Sequence, residues 1–159
     1  MDKNLKCKAA SGIAFIAQGG ILELAGGIDT VLIPGGMFLN VIIRNATVLA
    51  WLRSISRDVR RLGAVGAGVY ILAAAGVLDG RTVTTHWQDC EQLAKQHPAN
   101  KVRPNQIYVK DGAFYTCAGA TAGIDMALAF VKQDLGRELA LRVAQMLVML
   151  CADRVARAR

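Results

Sequence analysis

The amino-acid sequence predicts an α/β protein, a three-layer α/β/α sandwich around a mostly parallel sheet. Short apolar runs that end in glycine or in Pro-Gly-Gly alternate with segments of helical spacing, the pattern of parallel strands joined by helices. Glycine is frequent, at 16 residues, and proline is rare, at 3, a balance that suits tight turns and close packing of helices on strands. The chain of 159 residues fits one domain, predicted over residues 1–159.

The first half of the chain contains two predicted strand-helix units. The stretch IDTVLIPGG, residues 28–36, is an apolar run stopped by Pro-Gly-Gly and predicts a buried strand. Apolar residues at helical spacing then predict a helix over residues 39–61. LGAVG, residues 62–66, predicts a second buried strand, and small residues predict a helix over 67–76. The uncharged run from Leu62 to Leu78 has about the minimum length of a membrane-spanning helix. Its glycines divide it into a strand, a turn and a helix, so we expect it to lie in the hydrophobic core and not in a membrane.

A third strand and a polar helix follow. Asp79-Gly80 predicts a turn, and RTVTTHW, residues 81–87, predicts a polar strand. Residues 88–96 predict a polar helix. The sequence contains no internal repeat and no low-complexity linker.

A hairpin and two helices complete the prediction. Two apolar runs within residues 106–119 flank Asp111-Gly112, which is a strong hairpin signal. Helices are predicted over residues 120–134 and from 137 to about 157. The first of them is so apolar that a helix hairpin packed on the sheet is favoured over a DNA-binding helix-turn-helix.

Composition and charge narrow the function classes. Hydrophobic residues make up 53% and charged residues 19% of the chain, as in a globular protein. The formal net charge of +7 raises nucleic-acid binding as a hypothesis. No aromatic residues interleave with the arginine clusters, so solvated helix faces are the preferred interpretation. The clusters are Arg53, Arg57, Arg60 and Arg61, and in the tail Arg154, Arg157 and Arg159.

The four cysteines are widely spaced and form no CxxC pair, which argues against a zinc site and against a disulfide framework. No pattern indicates a cofactor. The N-terminus MDKNLKCKAASG has no apolar signal core, so we expect a cytoplasmic protein.

Three stretches carry a resemblance to a known family. DTVLIPGG, AVGAGVYILAAAGVLDGRTVTTHW and IYVKDGAFYTCAGATAGIDMALAFVKQDLG resemble the PfpI/ThiJ branch of the class I glutamine amidotransferase-like superfamily. More narrowly, LAAAGVLDGR, TTHW and TAGIDMALAFV with DLG resemble the N-terminal sensor domain of AraC-type transcriptional regulators. The resemblance covers about residues 28–150, and its specificity lies in the order of the pieces. It implies a flavodoxin-like sandwich.

The resemblance implies that the family's nucleophile is missing. The family has a cysteine at the turn from the second strand to its helix, followed by a small residue and glycine. This sequence has Gly66-Ala67-Gly68 there, so no thiolate can form a covalent intermediate at Gly66. His86 stands at the family's histidine position, where a strand-end histidine bonded to backbone is the preferred interpretation. We therefore expect a pseudoenzyme without catalytic residues.

One alternative is an enzyme that uses another cysteine. Cys117 lies in TCAGATAG, a loop that borders the same cleft in the family, and a helix N-terminus lowers the pKa of a thiol. Free cysteines are more often buried packing residues. A hydrolase or hydratase-like activity through Cys117 stays as the alternative.

The resemblance also implies two missing parts. The family opens with a strand and a helix that bring an acid to the cleft, whereas this sequence starts at KCKAASG, beyond that point. AraC-type regulators continue into two helix-turn-helix motifs, and no such domain is expected here. A truncated gene product is therefore a further alternative.

The preferred function is a non-catalytic ligand-sensing and dimerisation domain. Its partners would be an unknown small metabolite and a second copy in a homodimer, with DNA reached only through a helix-turn-helix domain absent from this chain. The cleft is expected beyond the carboxyl ends of the parallel strands, where backbone N–H groups suit an anion and Trp87 suits an apolar or cationic group. The expected lining residues are Gly35, Gly36, Gly66, Ala67, Thr85, His86, Trp87, Cys117 and Ala118.

Overall fold

The computed structural model describes residues 6–9, 11–24, 27–36 and 39–149, and its centre is a four-stranded sheet. The strands are β1 (Lys6–Lys8), β2 (Ala14–Ile16), β3 (Thr30–Ile33), β4 (Arg61–Val65), β5 (Thr82–Val83), β6 (Lys101–Val102), β7 (Tyr108–Asp111) and β8 (Phe114–Cys117). The central order is β3-β4-β8-β7, with β3, β4 and β8 parallel and β7 antiparallel to β8. The prediction of a mostly parallel sheet is therefore confirmed. Two separate pairs, β1 with β2 and β5 with β6, complete the strands.

Helices cover both faces of the central sheet. They are α1 (Leu39–Ile42), α2 (Ala46–Ile55), α3 (Val69–Ala74), α4 (Cys90–Gln96), α5 (Ala120–Leu135) and α6 (Arg137–Met146). Because side chains alternate along a strand, Leu62 and Ala64 of β4 pack with α2 and α3. Val65 of β4 and Cys117 of β8 pack on the opposite side, with α5. The result is two helical layers around one sheet.

The helix predicted over residues 39–61 is instead two helices, α1 and α2. The first ends at Ile42, and Asn45 caps the second: its side-chain Oδ1 accepts the backbone N–H groups of Thr47 at 3.1 Å and Val48 at 3.2 Å. Such a cap satisfies donors that a continuous helix would bond internally. The second helix ends at Ile55, and Arg61 already belongs to β4.

The strand predicted over residues 81–87 is much shorter, because only Thr82–Val83 forms β5. It pairs with β6 and is not part of the central sheet. Both edges of β8 are already occupied, by β4 and β7, so no ladder is left for it there. The backbone N–H of Thr84 bonds instead to the side-chain Oγ1 of Thr116, at 2.8 Å.

The C-terminal predictions agree with the structure as far as it is described. The hairpin at Asp111-Gly112 is confirmed, with Gly112 at φ +63° in the turn between β7 and β8. Helix α5 matches the helix predicted over 120–134, and Gly136, at φ +87°, separates it from α6. The predicted continuation from residue 150 to about 157 lies outside the described residues. Within the described ranges, none of the helices has the length and apolarity that crossing a bilayer requires.

The first arginine cluster is largely part of the fold. Arg61 is 4% exposed, and its guanidinium pairs with Asp134 at 2.5 Å and lies 4.8 Å from the ring centroid of Phe130. Arg60 bridges Asp134 and Asp29. These pairs fasten the amino ends of β3 and β4 to the end of α5, so Arg60 and Arg61 are held by internal partners. The tail arginines lie outside the described residues.

Candidate functional site

A sharp turn follows β4 at the carboxyl end of the sheet. Gly66 has φ +52°, in the left-handed region, and begins a 3-10 turn over Gly66–Gly68 that leads into α3. A Cβ added to Gly66 would meet Gly119 Cα at 3.6 Å and Ala118 O at 3.8 Å, which are ordinary van der Waals distances. The turn therefore has room for a Cβ at position 66.

The loop after β3 packs directly against this turn. A Cβ on Gly35 would lie 3.0 Å from Val65 O and 3.1 Å from Ala67 N. A Cβ on Gly68 would lie inside 3.0 Å of Ile33 O. Only glycines allow backbone to approach backbone this closely, so Gly35 and Gly68 set the position of the turn.

Thr85 reaches the same turn from the segment after β5, and His86 follows it in that segment. The buried hydroxyl of Thr85 donates to the carbonyl oxygen of Gly66 at 3.1 Å. The half-buried His86 accepts the backbone N–H of Gln88 on Nδ1 at 3.4 Å, and its ring centroid lies 5.5 Å from that of Trp87. The hydroxyl of Thr85 is thus the direct link from this segment to the turn, while the described contacts of His86 stay within its own segment.

Cys117 is adjacent to the turn but fully buried. It is the partner of Val65 in the β4–β8 ladder, and its Sγ lies 3.6 Å from Gly119 O. Burial raises the pKa of the Cys117 thiol, and the negative charge of Asp125 adds to the rise, whereas backbone hydrogen bonds at Gly66 and Gly119 oppose it. A lowered pKa at the start of a helix was the argument for the alternative of a reactive Cys117. Burial outweighs that effect here, as the preferred interpretation of a buried packing cysteine implies.

A cavity of about 380 Å³ opens beside the turn, between the segment after β5, the segment before β7 and the first turns of α5. It is lined by Thr85, Trp87, Asn105, Gln106, Ile107, Ala118, Thr121, Ala122 and Asp125. Of the predicted lining residues, Thr85, Trp87 and Ala118 line this cavity. The others lie outside it: Gly35, Gly36, Gly66, Ala67, His86 and Cys117.

Sequence reasoning missed the part of the wall that α5 contributes. Thr121, Ala122 and Asp125 have the i, i+1, i+4 spacing of one helix face, and this spacing is visible in TAGID. Asn105 has φ +63°, an uncommon conformation outside glycine, and no sequence motif marked it. Within the described ranges, no group of three or more His, Cys, Asp or Glu side chains is placed to hold a metal ion.

A mostly parallel sheet flanked by helices, with a left-handed strand-to-helix turn at its carboxyl end, defines the class of fold. The chain belongs to the DJ-1/PfpI family, which matches residues 2–133. The family match confirms the resemblance to the PfpI branch, and the regulators among its relatives confirm the resemblance to AraC-type regulators.

Characterised relatives include regulators and an enzyme. The chain is 30% identical to the HTH-type transcriptional regulator CdhR of Pseudomonas aeruginosa, over 89% of this chain and 41% of that protein. It is 39% identical to the HTH-type transcriptional regulator GlxA of Rhizobium meliloti, over 58% of this chain and 28% of that protein. An isonitrile hydratase of Pseudomonas putida is 31% identical over 71% of this chain and 48% of the enzyme. The chain thus spans less than half the length of each of these relatives.

Solved structures share the fold. DJ-1beta of Drosophila melanogaster superposes with a TM-score of 0.80 at 24% identity, covering 91% of this chain and 77% of that one. An AraC family transcriptional regulator from Pseudomonas putida superposes with a TM-score of 0.73 at 21% identity, covering 92% and 77%. These structures show the fold, and the sequence similarity to CdhR and GlxA relates this DJ-1/PfpI domain to the AraC-type regulators.

Proposed function

We propose that this domain senses a small molecule without catalysing a reaction on it, and that Gly66 stands where a nucleophile would stand. The observation that supports this is the turn itself: it has a left-handed φ and room for a Cβ, but position 66 carries no side chain. A thiolate nucleophile needs a sulfur atom at that point, and removal of a nucleophile from a working site costs on the order of a million-fold in rate.

Ligand binding is proposed for the cavity beside the turn. Its wall includes Thr85, which is bonded to Gly66, and the first turns of α5, which leads directly into α6. A ligand bound in this cavity would contact elements that are linked to both the turn and the C-terminal helices.

A homodimer is proposed through the exposed apolar side chains at the C-terminal end. Leu135 is 64% exposed and Met146 is 84% exposed, and Leu139 and Leu147 are exposed beside them in sequence. Burial of such side chains in an interface removes apolar surface from water, which stabilises a dimer. DNA contact is proposed only through a separate helix-turn-helix domain.

Thermal unfolding in the presence of single metabolites tests ligand sensing. A ligand at 100 times its Kd adds about 2.7 kcal/mol to the free energy of unfolding, which raises the unfolding temperature clearly. Thr121→Trp, which fills the cavity from α5, is expected to remove this shift. Thr47→Trp, at an exposed threonine of α2, is the matched control and should keep it. If no metabolite stabilises the wild-type protein, the proposal fails.

Restoring a thiol at the turn tests the assignment of position 66. In a background with Cys7→Ser and Cys151→Ser, the thiol of Gly66→Cys is expected to react with iodoacetamide faster at pH 7 than that of Ser54→Cys. The reason is that it would sit at the start of the turn that leads into α3, where a thiolate is stabilised. Gly66 is buried, so this stabilisation has to exceed the effect of burial, which it does not at Cys117. The left-handed φ costs the variant about 1–2 kcal/mol of stability. Intact-mass spectrometry follows the rate, and equal rates for the two thiols would contradict the assignment.

An enzyme that uses Cys117 is the second candidate, because the chain resembles an isonitrile hydratase and the Cys117 sulfur lies next to Gly66. The full burial and the raised pKa of this thiol oppose it. We expect no conversion of a simple alkyl isonitrile to its formamide, measured by NMR, with wild type or with Cys117→Ala. Conversion by wild type that disappears in Cys117→Ala would establish the enzyme instead.

A further inference from the structure

The α4–β6 segment, residues 88–102, separates two parts of the cavity wall along the chain. Trp87 directly precedes this segment and Asn105 follows shortly after it, and both line the cavity. Three residues of the segment are buried: Cys90, Leu93 and Asn100. One of the three is polar, so the segment contributes little to the apolar core. Parts of a fold that bury few apolar side chains open at a lower free energy than the core does.

The polar one, Asn100, is buried at a cost. It is 6% exposed, and neither its side-chain Oδ1 nor its Nδ2 has a hydrogen-bond partner among the described residues. Its backbone N–H donates to the carbonyl oxygen of His97 at 3.0 Å, which fixes the residue in the loop after α4. A buried amide without partners loses the hydrogen bonds that it makes to water when exposed. Opening of the segment restores those bonds, so Asn100 lowers the free energy of opening.

The secondary structure of the segment adds little to its stability. Helix α4 has seven residues, and the side chain of Asp89 at its start makes no capping hydrogen bond. Strands β5 and β6 pair over two residues each and form a sheet of their own, apart from the central one. The hydroxyl of Tyr70 donates to the carbonyl oxygen of Asp89 at 3.1 Å and ties the start of α4 to α3. Such short elements can separate from the central sheet without breaking its ladders.

The floor of the cavity is bonded to the rest of the fold independently of this segment. The hydroxyl of Thr85 donates to the carbonyl oxygen of Gly66 at 3.1 Å. The backbone N–H of Ala118 donates to the carbonyl oxygen of Ile107 at 2.9 Å. Thr85, Ile107 and Ala118 all line the cavity. Opening of the α4–β6 segment would therefore move the parts of the wall at its two ends and leave this floor in place.

We propose that the α4–β6 segment is a lid, which opens as a unit while the central sheet stays folded and so admits small molecules to the cavity. This inference rests on the proposed sensing function and adds how the cavity is reached. A molecule that contacts both the floor and Trp87 loses contacts when the lid opens, so its binding favours the closed lid.

Amide hydrogen exchange of the wild-type protein, followed by NMR, tests the lid without any ligand. The hydrogen-bonded amides of Leu93 and Lys101 report on the lid, and those of Thr84 and Ala118 report on the floor. We expect the lid amides to exchange with one common free energy, at protection factors about a hundred-fold or more below those of the floor. Equal protection of lid and floor would overturn the proposal.

Two buried thiols give a second measure of opening. Cys90 lies in the lid and Cys117 in the central strand β8, and both are buried. In a background with Cys7→Ser and Cys151→Ser, iodoacetamide is expected to modify Cys90 much faster than Cys117 under native conditions. Peptide mass spectrometry distinguishes the two sites. Modification of both thiols at one common slow rate, as in global unfolding, would contradict the lid.

Paired variants assign the opening to the buried amide. Asn100→Leu replaces the amide by an apolar group of similar shape, and it is expected to slow the modification of Cys90 by about ten-fold while that of Cys117 is unchanged. Asn40→Leu makes the same replacement at an exposed residue of α1 and should change neither rate. Faster modification of Cys90 in Asn100→Leu would mean that the amide stabilises the closed lid, which contradicts the inference. If Asn100→Leu does not fold, the wild-type exchange data decide.

The outcomes separate the lid from the sensing function. Equal exchange of lid and floor in a protein that a metabolite stabilises overturns the lid alone. A metabolite that raises the unfolding temperature should also slow the modification of Cys90, and an unchanged rate would contradict the lid. If the lid opens as expected but no metabolite stabilises the protein, sensing fails, and with it the role of the lid in access.

Discussion

Replacing Gly68 by alanine is expected to destabilise the domain severely. The added Cβ would lie inside 3.0 Å of Ile33 O and at 3.0 Å from Pro34 C, which are backbone atoms at the end of the edge strand β3. They cannot move aside as a side chain would, so the turn after β4 must separate from the loop after β3. Overpacking of this kind costs about 1–3 kcal/mol or more, a large part of the roughly 5–15 kcal/mol that stabilises a domain.

Urea unfolding followed by circular dichroism measures this effect. Gly119→Ala is the matched control, because it adds the same methyl group near the same turn with no atom within 4 Å and an extended φ of 174°. The control should unfold near the wild-type midpoint, and Gly68→Ala well below it. Equal midpoints would mean that β3 and the turn after β4 are not in the close contact described.

The second large effect is expected at the cluster of charges on the opposite end of the sheet. Arg61 is buried, and Asp134 holds its guanidinium with two contacts, at 2.5 Å and 2.7 Å. In Asp134→Asn the buried cation keeps only neutral partners, such as Gln133 at 3.3 Å. An unfolding midpoint clearly below that of wild type is expected at pH 7, since a buried charge without its counter-ion is strongly unfavourable.

The same cluster predicts a loss of stability in acid. Hydrogen bonds from Arg61 and Arg60 lower the pKa of Asp134, and hydrogen bonds from Arg60 and Thr30 lower that of Asp29. Unfolded aspartates titrate near pH 4, so the unfolded state binds more protons than the folded state below that pH. The stabilisation is therefore complete above about pH 4 and decreases as the pH falls toward the folded-state values.

Unfolding midpoints measured between pH 2 and 7 check this dependence. Asp134→Asn should flatten the acid part of the curve. Glu138→Gln removes a carboxylate from an exposed i,i+4 pair with Arg142 and is the control, for which little change is expected. Identical acid profiles for wild type and Asp134→Asn would contradict the role of this cluster.

The predictions that succeeded rest on local signals. Asp111-Gly112 specifies a turn by its own backbone preferences, and the Pro-Gly-Gly after residue 33 ends a strand in the same way. The break between α1 and α2 also has a local signal, because an asparagine before Ala-Thr is a good helix cap. It was not predicted, because the apolar spacing continues across Asn45. The short length of β5 could not be predicted from local sequence, because it depends on β4 and β7 occupying both edges of β8.

The predictions for the candidate site show the same difference between local signals and long-range packing. The left-handed turn at Gly66 and the proximity of Thr85 follow from motifs that are readable in order along the chain. Asp125 was not predicted as a site residue, because its helix was interpreted as a buried apolar element. Only the packing of α5 shows that this residue lines a cavity. The raised pKa of Cys117 depends on complete burial, a three-dimensional property that competes with the effect of the nearby helix start.

One NMR titration that follows protein and small molecule in the same sample tests the central claim most directly. The claim is that this domain binds a ligand beside a turn without a nucleophile and leaves the ligand unchanged. We predict that a binding metabolite shifts the signals of Thr85, Trp87 and Ala118 to saturation, while its own resonances keep their intensity for hours. New product resonances that appear only with the protein, or a metabolite library that shifts none of these signals, would contradict the claim.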